Sequence, residues 1–301
     1  FYRKEFIMVY LDKFSLPDRM REDNFILSYD SPRSSMTCFS NDVYPFGIFP
    51  NKEISEMRFD ALTLIYGGNG SGKSTLLNVI AEKLSLESGA PLNYTPYFED
   101  YLKLCDFRLA YGKNLPKESC FIRSDDVFDF MLDVRSINMG VDRKREQIFG
   151  DYLEKKYSDG FSLKSLDDYE ELKERNKARR MTMSAYTNEK LPKNLRTNSN
   201  GESAFAYFTG KIGENALYIL DEPENSLSPS MQLKLAKFIE DSVRFYGCQF
   251  IIATHSPFLL AMKDSLIYDL DSVPAGIKSW NELENVRVYF DFFHSHRNEF
   301  L

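Results

Sequence analysis

The apolar run Leu62-Thr63-Leu64-Ile65-Tyr66 has no polar interruption except a β-branched threonine, the pattern of a buried strand. A glycine-rich break follows, and then Leu76, Leu77, Val79 and Ile80 recur at helical spacing. The same alternation returns late in the chain. It predicts a helix over Glu202–Gly210, a strand over Ala216–Leu220, a helix over Ser230–Phe245, a second buried strand over Gln249–Ala253 and a further strand over Leu266–Leu270. Upstream, Phe6–Leu11 and Ile26–Tyr29 read as strands. Ser31–Pro50 reads as loops between short strands, broken by Pro32, Pro45, Gly47 and Pro50. In the middle, Tyr97–Leu104 is expected to be helical and Ser119–Arg123 extended, with Ser124-Asp125-Asp126 capping a helix over Val127–Val134. From Val141 to Arg196 the apolar period weakens and charge dominates, as in a solvated helical insertion. The patterning is that of an α/β protein.

Composition changes this picture little. A chain of 301 residues, 43% apolar and 28% charged, can bury one large α/β domain or one domain with a sub-lobe. No stretch approaches the roughly 18 consecutive apolar residues of a membrane span, so no membrane partner is expected. Phe1–Phe14 mixes charged and apolar residues, unlike a secretory leader, and a start at Phe1 suggests a trimmed chain. Cys38, Cys105, Cys120 and Cys248 are scattered and only three histidines are present, which argues against a zinc site or a disulfide framework and for thiols in a reducing cytoplasm. The net charge of -7 argues against general nucleic-acid coating but leaves room for a local basic patch.

Candidate chemistry begins at the glycine-rich break. Gly67-Gly68-Asn69-Gly70-Ser71-Gly72-Lys73-Ser74, followed by Thr75, fully matches the G-x-x-x-x-G-K-[ST] phosphate loop, and it lies between a strand and a helix as that loop requires. Glycines let successive N–H groups converge on one anion, and the helix N-terminus adds its positive dipole end. Lys73 would reach the β- and γ-phosphates of a nucleoside triphosphate, and Ser74 would hold Mg²⁺. The strand Ala216–Leu220 runs into Asp221 and Glu222, the first placed to hold Mg²⁺ directly or through water, the second to polarise an attacking water as general base. The strand at Gln249–Ala253 ends at Thr254-His255, where His255 would donate to the γ-phosphate and anchor that water. Asn198-Ser199-Asn200-Gly201-Glu202 places small residues at a helix start, a second anion-site pattern.

These pieces, in this order, resemble the ATP-binding-cassette (ABC) ATPase superfamily. The spellings DEPENSLSP and ATHSPFLL look like its soluble branch, which includes Rad50- and SMC-type heads and AAA-family ATPases related to overcoming-lysogenization-defect proteins. The resemblance implies a P-loop NTPase fold, an ABC-ATPase head with an N-terminal antiparallel β lobe and a charged helical insertion. It would be one domain over 1–301: a β-rich lobe and lead-in (1–66), the P-loop core (67–140), the insertion (141–196), the signature, Walker B and switch core (197–270) and a tail (271–301). It also implies ATP and Mg²⁺ as cofactors, with Lys73, Glu222 and His255 catalytic and Ser74 and Asp221 on the metal. Ser199 and Gly201 would act as the signature that completes the site of a second, identical head, so hydrolysis requires an ATP-dependent homodimer. The D-loop would be Asn225–Pro229. An effector on a separate chain is expected, in DNA maintenance or phage defence; a non-cycling sensor or scaffold and a transporter's nucleotide-binding subunit are the alternatives.

One departure stands out. The superfamily usually places a glutamine after the strand between phosphate loop and signature. Here that place falls at Arg123-Ser124-Asp125, where Ser124 or Asp125 would substitute, and the only glutamine between those motifs is Gln147 in the charged insertion. Two features stay open. Tyr44, Phe46 and Phe49 could supply an adenine-stacking ring or simply be core aromatics. The basic run Lys173, Arg175, Lys177, Arg179, Arg180, Lys190, Lys193 and Arg196 could contact a nucleic-acid backbone, dock a protein, or be an exposed helix.

Overall fold

The computed structural model describes residues 8–28, 44–89, 95–157, 168–181 and 200–300. In chain order the elements are β1 (Leu11–Ser15), α1 (Arg19–Ser28), β2 (Glu56–Arg58), β3 (Leu62–Tyr66), α2 (Lys73–Lys83), β4 (Glu87–Ser88), α3 (Phe98–Leu104), β5 (Asp106–Leu109), β6 (Cys120–Arg123) and α4 (Ser124–Tyr157). They continue with α5 (Asp168–Arg180), α6 (Asn200–Lys211), β7 (Leu217–Asp221), α7 (Pro229–Phe245), β8 (Gln249–Ala253), α8 (Pro257–Leu260), β9 (Leu266–Asp269), β10 (Gly276–Ile277) and α9 (Glu284–Ser295).

The apolar runs pair into a seven-stranded sheet of order β10-β9-β3-β8-β7-β6-β4, parallel except at β10. The central strands β3, β7 and β8 are buried along their whole length, as expected for a sheet covered on both faces. Their register aligns Ile65 with Ala253, Asp221 with Ala253, and Arg123 with Asp221. The C-terminal ends of β3, β6, β7 and β8 therefore form one rim, the place where α/β sheets carry their chemistry. A small antiparallel sheet, β2-β1-β5, lies apart from it in hydrogen bonding. Helix α2 joins the two, because its Leu76, Leu77, Val79 and Ile80 share one core with Phe14 and Met57 of the small sheet and Ile65, Ile219 and Ile251 of the large one. A buried glutamine adds a polar tie: Gln249 accepts from the amides of Tyr10 and Leu11 (2.8 and 2.9 Å) and donates to the carbonyls of Leu11 and Asp60 (2.8 and 3.1 Å).

Two N-terminal expectations are corrected. Residues 26–28, expected extended, belong to α1, whose start is fixed by Asp18 accepting from Arg21 N–H (2.8 Å); Tyr29 lies outside the described residues. Among the described residues the first strand lies at Leu11–Ser15, where pairing with both β2 and β5 sets its register, and residues 8–10 of the expected Phe6–Leu11 strand precede it; Phe6 and Ile7 lie outside the described set. Phe46 and Phe49 are core aromatics, buried and packed around Tyr101. Tyr44 is half-buried with its ring stacked on Phe98.

The chain divides into two compact units, residues 1–128 with 200–301, and residues 129–199. The second contains the remainder of α4 and all of α5, with a small core of Ile148, Tyr152 and Ala178 against Met181, whose carbonyl accepts from the Tyr152 hydroxyl (3.0 Å). Of the basic run, Lys173, Arg175, Lys177, Arg179 and Arg180 lie on α5, where Arg175 pairs with Glu171 at 2.9 Å; Lys190, Lys193 and Arg196 lie outside the described residues. Gln147 is exposed on α4 in this unit.

Candidate functional site

The loop from Gly67 to Gly72 turns β3 into α2, and two of its glycines take the left-handed conformations that side chains resist: Gly70 at φ 78° and Gly72 at φ 97°. At Gly67 the requirement is space, since a Cβ there would lie 2.4 Å from Ser71 Oγ. Lys73 opens α2, is almost fully buried, and folds back to donate to the carbonyls of Gly67 (2.8 Å) and Gly68 (3.2 Å). Gly68 donates its own N–H to Asp271 (2.8 Å). Asn69, Gly70 and Ser74 are exposed, Thr75 is half-buried, and the Ser71 hydroxyl is buried without a hydrogen-bond partner among the described residues.

Strand β7 delivers the two carboxylates in opposite senses. Asp221 ends the strand, 9% exposed, with Ser74 hydrogen-bonded to its carboxylate and Oδ1 buried without a partner among the described residues. Burial pushes its carboxyl up to about 6, with the neighbouring Glu222 adding to the shift and Ser74 and Lys73 opposing it. At Glu222 the chain switches to φ 47°, ψ 54°, a left-handed conformation that costs a non-glycine residue on the order of 1 kcal/mol. The turn lays the Glu222 carboxylate 3.4 Å from Lys73 Nζ and 3.8 Å from His255 Nδ1, with Asn225 donating to it at 3.0 Å. Desolvation works to raise this carboxyl, but Asn225, the Lys73 ammonium and His255 outweigh it and hold the group below its ordinary value. One rim thus carries a buried carboxyl that resists ionisation next to a carboxylate that favours it.

The switch segment sits one strand over. Thr254 N–H donates to Ile65 O (3.1 Å), which seats the end of β8 against the end of β3. His255 faces two carboxylates, Nδ1 toward Glu222 and Nε2 at 3.9 Å from Glu224 Oε1. Glu224, Asn285 and Asp271 are the site residues that sequence reasoning missed. The signal for Glu224 was available as the third acid of Asp221-Glu222-Pro223-Glu224. For Asn285 and Asp271 nothing local distinguished them.

Ser199 lies outside the described residues, while Gly201 lies in the first turn of α6, which packs beside the Pro223–Ser226 turn and α7. At the position of the superfamily glutamine there is no loop: β6 ends at Arg123, α4 starts at Ser124, and the buried Asp126 carboxylate accepts from Arg123 N–H (2.8 Å). Ser124 is half-buried and Asp125 exposed.

A family model described as "ABC transporter" matches residues 55–225, more than half of the chain. The chain belongs to the ABC-type ATPase family. A second model, described as "AAA domain, putative AbiEii toxin, Type IV TA system", matches residues 199–261, the stretch of the ABC-type head that carries α6, both carboxylates and His255. No curated protein matches the chain. Among solved structures, similarity is found to an Smc head domain with an extended coiled coil, bound to the C-terminal domain of ScpA, from Pyrococcus furiosus. That match has 14% identity and a TM-score of 0.35, covering 80% of this chain and 95% of that one. A putative metal-chelate type ABC transporter in an inward-facing conformation is also similar, with 16% identity and a TM-score of 0.35, covering 76% and 77%. Among the described residues of this ABC-type chain, no helix is long and apolar enough to cross a membrane.

Proposed function

We propose that this ABC-type protein binds ATP with Mg²⁺, closes as a dimer around it, hydrolyses it, and thereby gates an effector on a separate chain. The observation that carries the proposal is the opposed pair at the end of β7: Glu222, kept ionised within reach of Lys73 and His255, beside buried Asp221. The phosphate loop amides and the α2 N-terminus bind the triphosphate, and Lys73 neutralises its charge. Asp221 and Ser74 fit a divalent cation, because Asp221 Oδ1 is a buried acceptor with no partner among the described residues, next to a hydroxyl that can turn toward it. Mg²⁺ there would neutralise charge on the β- and γ-phosphates. Glu222 takes the proton of the attacking water as general base, and its position opposite His255 lets the imidazole hold that water or the γ-phosphate. Ser199 and Gly201 would complete the site of a second copy.

The soluble-type spelling of the motifs and the toxin–antitoxin description of the second family model favour phage defence or DNA maintenance over transport. A second reading, an ATP-held sensor that cycles slowly, is favoured by one observation: the β6–α4 junction carries no glutamine to couple metal and partner.

The test is turnover and solution mass for wild type and Glu222→Gln, each with and without double-stranded DNA. Turnover in wild type, with hydrolysis about 10²–10⁴-fold lower and a trapped ATP dimer in Glu222→Gln, is the expected result. ATP binding with neither hydrolysis nor change of mass in either protein would favour the sensor. Stimulation by DNA would point to the α5 region.

A further inference from the structure

The carboxylate of Glu224 is buried at 6% exposure, three residues past the end of β7. Its Oε1 accepts three hydrogen bonds, from Thr254 Oγ1 (2.7 Å), His255 N–H (2.8 Å) and Ser256 N–H (3.1 Å). On the other side of the same residue, the His255 carbonyl accepts from Asn285 Nδ2 at 2.6 Å. The backbone of His255 is therefore held at its N–H by Glu224 and at its C=O by Asn285. Thr254–Ser256 lies beyond the last ladder pair of β8; Thr254 N–H is held by Ile65 O and the Ser256 hydroxyl by Gln232, but the His255 peptide between them is tied by these two side chains.

We infer that Glu224 is a positioning residue that fixes the switch histidine opposite the general base. Resting as it does on the ATPase reading above, the inference goes one residue further. Glu222 and Glu224 belong to one short turn, Pro223–Ser226 and its leading residue. That turn presents one carboxylate to His255 Nδ1 (3.8 Å) and plants the other under the histidine's own peptide, whose N–H donates to Glu224 Oε1 (2.8 Å). Base and switch are thus set in register by a single backbone unit rather than by two independent strands. A buried carboxyl group is a costly way to fill space; three hydrogen bonds to Oε1 offset part of that cost, while Oε2 is buried without a partner among the described residues.

The experiment compares wild type, Glu224→Ala, Glu224→Asp and Glu224→Gln, with His255→Ala and the double variant Glu224→Ala/His255→Ala. Two readouts are taken on each: ATP turnover, and amide hydrogen exchange over Thr254–Ser256. Glu224→Ala and Glu224→Asp, which remove or withdraw the acceptor oxygen, should speed exchange at His255 and Ser256 by about tenfold or more. They should lower kcat by roughly 10–100-fold with KM for ATP within about threefold. Glu224→Gln keeps a carbonyl acceptor and should restore both to near wild type. The double variant should be no slower than His255→Ala, because the two residues act as one unit. Unchanged exchange in Glu224→Asp, or losses that multiply in the double variant, would overturn the inference. If wild type binds ATP without hydrolysing it, the ATPase reading falls by itself, and the exchange measurement still decides whether Glu224 holds the histidine.

Discussion

Burial at the end of β7 lifts the Asp221 carboxyl to about 6 from the ordinary 3.8, while its neighbour Glu222 is held below its ordinary value by Asn225, Lys73 and His255 against the opposing pull of desolvation. The two groups therefore push stability in opposite directions. Between pH 3.8 and about 6 the native protein holds a proton on Asp221 that the unfolded chain has released, so this group's contribution is complete below 3.8 and is lost as pH rises through 6. Glu222 contributes above its ordinary value of 4.5, and that contribution is lost as pH falls through its lower folded value. If Asp221 holds Mg²⁺, binding must expel its proton, so stabilisation by Mg²⁺·ATP should grow from pH 5.5 to pH 8. Thermal unfolding with and without Mg²⁺·ATP measures this directly. The pH dependence should flatten in Asp221→Asn, and an unchanged profile in that variant would remove Asp221 from the metal.

At the scale of elements, two substitutions separate the loop's shape from the fold's support. Gly67→Ala sets a Cβ 2.4 Å from Ser71 Oγ and 3.3 Å from Asp271 Oδ1, so the phosphate loop must shift. The expected result is a folded protein whose ATP affinity, measured by calorimetry, falls by about tenfold or more, 1.4 kcal/mol for each decade. Gln249→Leu strands the Tyr10 and Leu11 amides where β1 meets the large sheet. It should cost about 2–5 kcal/mol in denaturant unfolding. The loop and its flanking strand and helix were legible in the sequence because a glycine pattern, an unbroken apolar run and a helical period coincide there. The strands β7 and β8 were legible for the same reason, each running straight into a polar group. The N-terminal segment was not: its apolar residues are few and change period within a turn, and α1 is fixed by Asp18, a cap lying before the stretch that looked extended. Glu224 was visible as an acid beside the Asp221-Glu222 pair, but its role depends on amides far downstream in the chain, and Asn285 acts through the His255 carbonyl just past β8. Phe46 and Phe49 could not be assigned from sequence, since a ring buried against Tyr101 and a ring offered to a base read alike.

For the molecule as a whole, the proposed dimer makes a prediction that a lone head cannot satisfy. Lys73→Ala disables the phosphate loop and Gly201→Glu the signature at the start of α6. Neither protein alone should hydrolyse ATP, but an equimolar mixture should regain turnover, because one of the two sites in a mixed dimer then has an intact loop facing an intact signature. Sedimentation with ATP should show the mixture at twice the monomer mass. Failure to complement, with both variants folded, would count against shared sites.

The sheet order has a consequence for synthesis. Strand β3 pairs only with β8 and β9, Thr63 meeting Ile251 on one side and Leu266 on the other. At about 5–20 residues per second, a ribosome needs roughly 10–40 s to make the intervening ~190 residues. Through that interval the apolar strand that leads into the phosphate loop has no neighbour to hydrogen-bond, and α2 has no finished sheet to cover. Newborn chains arrested before Gln249 should be cut readily by protease at 62–66, and those extended past Asp269 and clear of the exit tunnel should resist. The nucleotide site therefore takes shape only once β8 and β9 have emerged, long after its phosphate loop has been translated.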